Sequence, residues 1–111
     1  MKIIDFRFRP NTPEIINGIK NSSMFKATCE AIGFDKRVPQ ALPEIVADLD
    51  RRGVELFVVS ARDCETTYGF PANNNRILDF CRAYPTKFLG FWGIHPHKDL
   101  DAVREVEHVL K

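Results

Sequence analysis

The chain has 111 residues, 44% of them hydrophobic, and 16 Lys and Arg against 15 Asp and Glu give a net charge of +1. That is enough for one globular domain, 1–111, with an ordinary core. The charge balance leaves no basic excess to hold nucleic acid or a membrane surface, and no apolar run suits a signal peptide or a membrane span, so a cytoplasmic protein with neither partner is expected.

Residues 2–10 read as an opening strand, about 2–8, whose end carries two arginines, Arg7 and Arg9. Side chains two apart share a strand face, so Asp5, Arg7 and Arg9 are expected on one side and Ile4, Phe6 and Phe8 on the other. Neighbouring guanidiniums repel. They are tolerated in water, on a plain solvated face, or where a carboxylate or anion neutralises them. Asp5 is the nearest carboxylate. Residues 11–42 form a long connection with little structure of its own. Ser23 can cap a short helix through Met24, Phe25, Thr28, Cys29 and Ile32, which Gly33 stops. A connection this long is more often functional than filler.

From Leu42 the periodicity is clearer. Leu42, Ile45, Val46 and Leu49 make a helical stripe, Pro43 suits the first turn, and Gly53 suits the position past the end. Val54 to Ser60 is a nearly continuous apolar strand of the kind covered on both faces. The loop 61–72 carries Arg62, Asp63, Cys64 and Glu65. Asn73 or Asn74 can cap a helix with Ile77, Leu78, Cys81 and Tyr84 inward, stopped by Pro85. Phe88 to His95 reads as a third strand. Asp99 caps a last helix with Leu100, Val103, Val106 and Leu110 on one stripe. That helix runs to Lys111 without a stop signal, so a front part of something longer is expected. The order βα, βα, βα predicts an α/β fold with parallel strands and right-handed crossovers.

Parallel α/β folds hold their sites at the carboxyl ends of the strands. Arg7, Arg9, Arg62, Asp63, His95 and His97 are therefore expected at one end of the sheet. The i, i+2 spacing of His95 and His97 can chelate zinc if the strand continues, or supply an acid or base near neutral pH. The plain alternative is a polar loop with Pro96 starting the next turn. Arg62 and Asp63 can equally form a local ion pair. Gly90 and Gly93 do not form a phosphate cradle and more often let a neighbour approach the backbone. His108 reads as solvated surface. Cys29, Cys64 and Cys81 are odd in number and lack a CxxC pair, which argues against a disulfide framework or a structural zinc.

The segments IIDFRFRP, LPEIVADLDRRGVELFVVSARD and NNNRILDFCRAYPTKFLGFWGIHPHKDLDAVREVEHVLK together resemble the amidohydrolase superfamily. The nearest branch is the amidohydrolase-related group of metal-dependent hydrolases and decarboxylases. The GIHPH piece is also similar to TatD-type deoxyribonucleases. The resemblance implies a (β/α)8 barrel of about 250 residues, of which this chain would supply the first three βα units. It implies zinc or another divalent metal, held by a His-x-His at the end of strand one. Here those positions are Arg7 and Arg9, and a guanidinium cannot ligate a metal. A planar fork suits a carboxylate.

The leading expectation is thus the N-terminal part of an amidohydrolase-related enzyme, inactive as the isolated chain. The resemblance implies metal-assisted hydrolysis or decarboxylation of a small carboxylated substrate. Arg7, Arg9 and Arg62 would hold the anionic substrate, and His95 would serve as acid or base. His95 and His97 remain the candidates for a metal. The remainder of the barrel, or self-association through exposed edges, would be the partner. Two alternatives are a non-catalytic α/β binding or assembly module and a TatD-like nuclease fragment.

Overall fold

A computed structural model describes residues 2–69 and 72–110. Positions 70 and 71 of the loop 61–72, and the expected helix end at Lys111, lie outside the described residues. Three strands, β1 (Ile3–Phe8), β2 (Val54–Ser60) and β3 (Phe88–Phe91), pair in parallel in the order β1-β2-β3. The helices are α1 (Pro13–Lys20), α2 (Lys26–Ala31), α3 (Leu42–Arg51), α4 (Glu65–Tyr68), α5 (Asn74–Ala83) and α6 (Leu100–Val109). The chain is therefore α/β, with helices between parallel strands as the periodicity predicts. No helix among the described residues is long and apolar enough to cross a membrane.

The core lies on one face of the sheet. Phe57 is fully buried there, its ring centroid 5.0 Å from Phe8 and 5.1 Å from Phe88. Val46 of α3 and Ile77 and Phe80 of α5 close over this face. Both crossover helices thus pack on the same side. The opposite face carries Ile4, Phe6, Leu89 and Phe91, which are 58%, 72%, 50% and 50% exposed. The Phe6 and Phe91 rings, 6.5 Å apart, meet over the middle strand, where Val58 is buried.

Strict alternation along β1 does not hold. Asp5 pairs with Phe57 and Phe8 with Val59, so three steps of β1 span two of β2. This bulge sends Phe8 to the helix-covered face, away from Phe6. The Arg7 N–H donates to Asp5 Oδ1 at 3.0 Å. Asp5 therefore holds backbone at the bulge.

The 11–42 connection is more structured than expected, with α1 and α2 inside it. Ile16 of α1 is fully buried, and Pro13 sits in its first turn. Ser23 caps nothing: the chain enters α2 through a 3-10 turn, Ser23–Phe25, and no side chain caps either element. Gly33 does stop the segment, at φ 66°. Strand β3 ends at Phe91, four residues earlier than predicted. Gly93 lies against the backbone of Ala61 and Arg62, where an added Cβ would sit 2.8–2.9 Å from their atoms. That close approach ends the ladder and accounts for the glycine. Gly90 is similarly crowded by Cys81 and Ile77.

The last helix is rotated from its predicted stripe. Leu100, Val103 and Leu110 are exposed, and Ala102 is buried. Glu105 sets the rotation: its carboxylate accepts from Trp92 Nε1 at 2.8 Å and Asn74 Nδ2 at 3.1 Å. Asp99 precedes the helix at φ 49° without a side-chain cap bond.

Candidate functional site

Strands β1 and β2 run in parallel, so their carboxyl ends place Arg7, Arg9 and Arg62 together. These three and Arg37 line one cavity of about 420 Å³, within the usual range of about 300–1,000 Å³ for a small-molecule site. The bulge in β1 does not separate Arg7 from Arg9; both reach this cavity. Ser60, Asn11 and Asn73 add polar atoms, and Ile15, Ile19, Ile32, Phe34 and Ile77 supply apolar wall. The described residues that line the cavity include no Asp or Glu.

The lining is rich in donors. Asn73 Oδ1 accepts from the Arg62 backbone N–H at 2.6 Å, and Asn11 Oδ1 accepts from Arg37 Nη1 at 3.4 Å. Each amide oxygen thus accepts one bond within the protein, and the amide NH2 groups add further donors. Asn73 stands at the start of α5 but does not cap it. Arg37 is held a second way, with its guanidinium carbon 4.9 Å from the centre of the Phe34 ring.

No carboxylate among the described residues pairs with Arg7 or Arg9. The Arg9 guanidinium is held below its ordinary pKa, first by burial, then by the positive charges of Arg7 and Arg62. Such a group is electrostatically relieved by an anion placed between the charges.

The other sequence candidates form a separate cluster. Asp63 does not pair with Arg62. Its Oδ2 accepts from Lys98 Nζ at 2.5 Å, in a side chain only 1% exposed. His95 is buried and does not line the arginine cavity. Its Nδ1 accepts from the His97 backbone N–H at 3.3 Å, capping the 3-10 turn Pro96–Lys98. That bond places the ring proton on Nε2, which faces the hydroxyls of Thr66 and Thr67. Both His95 nitrogens are thus used inside the fold. His97 is exposed, with its ring centroid 5.3 Å from that of His95. The two do not share a strand face, because β3 has already ended.

No group of three His, Cys, Asp or Glu side chains among the described residues can hold a metal ion. Arg7, Arg9 and Arg62 cannot ligate a metal, because a guanidinium stays protonated, and both ring nitrogens of His95 are engaged inside the fold. Cys29, Cys64 and Cys81 are free, and His108 is exposed.

Asn74, at the start of α5, ties the segment after β3 to α6. Its amide bonds the backbone of Gly93 in both directions at 2.8 Å and reaches Glu105. Comparison with protein-family models, curated proteins and solved structures finds no match to this chain.

Proposed function

We propose that the chain binds a small carboxylated ligand at the Arg7–Arg9–Arg62 cavity, as the N-terminal part of an amidohydrolase-like barrel. The observation that carries this reading is a set of guanidiniums lining one cavity, with no acidic residue among the described lining residues. Arg7 and Arg9 take up the carboxylate by paired N–H donors, and Arg62 assists from the end of β2. Because Arg7, Arg9 and Arg62 cannot ligate a metal, no metal-bound step is assigned to them. The reaction class, hydrolysis or decarboxylation, rests on the sequence resemblance alone. The binding role goes to the arginines and not to His95, whose ring is committed to Thr66 and the His97 N–H.

The barrel part of the reading is supported by topology. Strands in sequence order with both crossover helices on one face are the arrangement of a singly wound barrel, whereas a doubly wound sheet reverses order and covers both faces. The uncovered Ile4, Phe6, Leu89 and Phe91 occupy the face that such a barrel turns inward. The same exposed face also favours the second reading, an assembly module that covers it with a partner. Light scattering after size exclusion bears on both: a folded monomer that binds no hydrophobic dye contradicts each of them. For the ligand site, calorimetric titration of benzoate is the test. Binding that is lost in the Arg7→Gln/Arg9→Gln double variant supports the site, and equal binding in the variant removes it.

A further inference from the structure

Strand β2 ends at Ser60, and the ladder bond nearest to Arg62 runs from the Ala61 N–H to the Phe91 carbonyl at 2.8 Å. Beyond it, both backbone groups of Arg62 are taken by Asn73. The Arg62 N–H donates to Asn73 Oδ1 at 2.6 Å, and the Arg62 carbonyl accepts from the Asn73 N–H at 3.1 Å. The two bonds close a ring between residues eleven positions apart. An asparagine just before a helix ordinarily turns its side-chain oxygen to the N–H groups of the first turn. Asn73 does not cap α5. Its oxygen is used on Arg62 instead, and α5 begins without that bond.

The Arg62 backbone is held from a second side as well. An added Cβ on Gly93 would lie 2.8 Å from Arg62 Cα, so the two segments are in close contact. Gly93 is itself fixed by the buried Asn74, through 2.8 Å bonds to its N–H and its carbonyl. Where this backbone sits matters, because Arg62 stands in a shared wall. Arg62 and Asn73 line the arginine cavity and also a neighbouring one of about 340 Å³. The neighbour carries Glu14 and Asp79, whose charges attract a guanidinium. The arginine cavity has no described acidic lining residue to compete with them.

We infer that Asn73 is a positioning residue of the anion site: its two bonds to the Arg62 backbone, with Gly93 packed behind, keep Arg62 at the arginine cavity. This inference rests on the anion-site reading above and adds the device that sets one of its guanidiniums. Asn73 acts through Arg62 and not by contact with the ligand.

The test joins hydrogen exchange at the Arg62 amide with calorimetric titration of benzoate. In Asn73→Ala the Arg62 N–H is expected to exchange at least roughly tenfold faster than in the parent. Asn73→Asp, which keeps an accepting oxygen, retains the protection. Benzoate affinity falls roughly fivefold in Asn73→Ala, but by less than about twofold when the same change is made in Arg62→Gln, because the residue through which Asn73 acts is already gone. Unfolding midpoints show that the variants remain folded. An equal loss of affinity in both backgrounds overturns the inference, since Asn73 would then touch the ligand or act on the fold at large. Unchanged exchange at Arg62 in Asn73→Ala overturns it too. So does an Arg62→Gln variant that binds benzoate as the parent does, with binding still dependent on Arg7 and Arg9; that result leaves the anion site standing. Failure of the parent to bind benzoate, or binding indifferent to Arg7 and Arg9, overturns the anion site itself and the inference with it.

Discussion

Two clusters of ionisable residues sit beyond the strands, and they differ in how their bonds are closed. Around His95 the polar groups are mostly matched within the protein: imidazole to Thr66 and to the His97 N–H, Asp63 Oδ2 to Lys98. The group around Arg9 has a different character. Charges of one sign crowd together, and no described acidic residue lines the space between them. Buried polar groups are normally satisfied, and unrelieved like charges oppose folding unless something else relieves them. The contrast teaches that His95, the usual kind of first candidate for chemistry, has both ring nitrogens engaged inside the fold, whereas Arg7 and Arg9 carry charges that no described carboxylate pairs.

The comparison breaks most sharply at His95. His95→Ala removes a buried ring and leaves the His97 N–H and the Thr66 hydroxyl to find new partners. It should cost about 2–3 kcal/mol in urea unfolding, with benzoate affinity retained. Loss of binding at unchanged stability would reverse the roles of the two clusters. Gly93→Ala comes next, at about 1–3 kcal/mol, because the new Cβ presses on Ala61 and Arg62. It should also weaken benzoate, since Arg62 moves with its backbone.

Arg9→Gln is the opposite case. Stability should stay within about 0.5 kcal/mol of the parent, or rise slightly as repulsion from Arg7 and Arg62 is relieved, while benzoate affinity falls roughly tenfold. A large loss of stability would mean that Arg9 is structural. The smallest effect is that of pH. The hydrogen bond to Asp63 raises the Lys98 pKa, so its contribution is complete below the ordinary lysine value of 10.5 and is lost as pH rises through the folded value. Burial raises the Cys81 thiol, so above the ordinary value of 9.0 the unfolded chain ionises first and stability falls. Urea midpoints should therefore decline above about pH 9; a rise there would contradict both assignments.

Much of the frame is legible in the residues. The apolar run Val54–Ser60 and the stripe from Leu42 to Leu49 fall where periodicity puts them, because local pattern and burial agree there. Phe80, buried at 4%, escapes the predicted inward set of α5. The bulge in β1 escapes because a period of two assumes one residue per step, and only pairing with β2 reveals the extra one. The rotation of α6 escapes because Glu105 is fixed by Trp92 and Asn74, contacts distant in sequence. Arg7, Arg9 and Arg62 were legible as a group, since parallel strand ends converge by topology. Arg37 was not. It reaches the cavity through the packing of the 11–42 connection, and nothing in its local sequence marks it.

The most direct measurement is NMR of the chain during addition of benzoate, following the arginine Nε–Hε signals together with the His95 ring. Shifts at Arg7 and Arg9, saturating together while the His95 ring signals stay in place, are the predicted result. Shifts at His95 with silent arginines would contradict the assignment of one cluster to the ligand and the other to the fold.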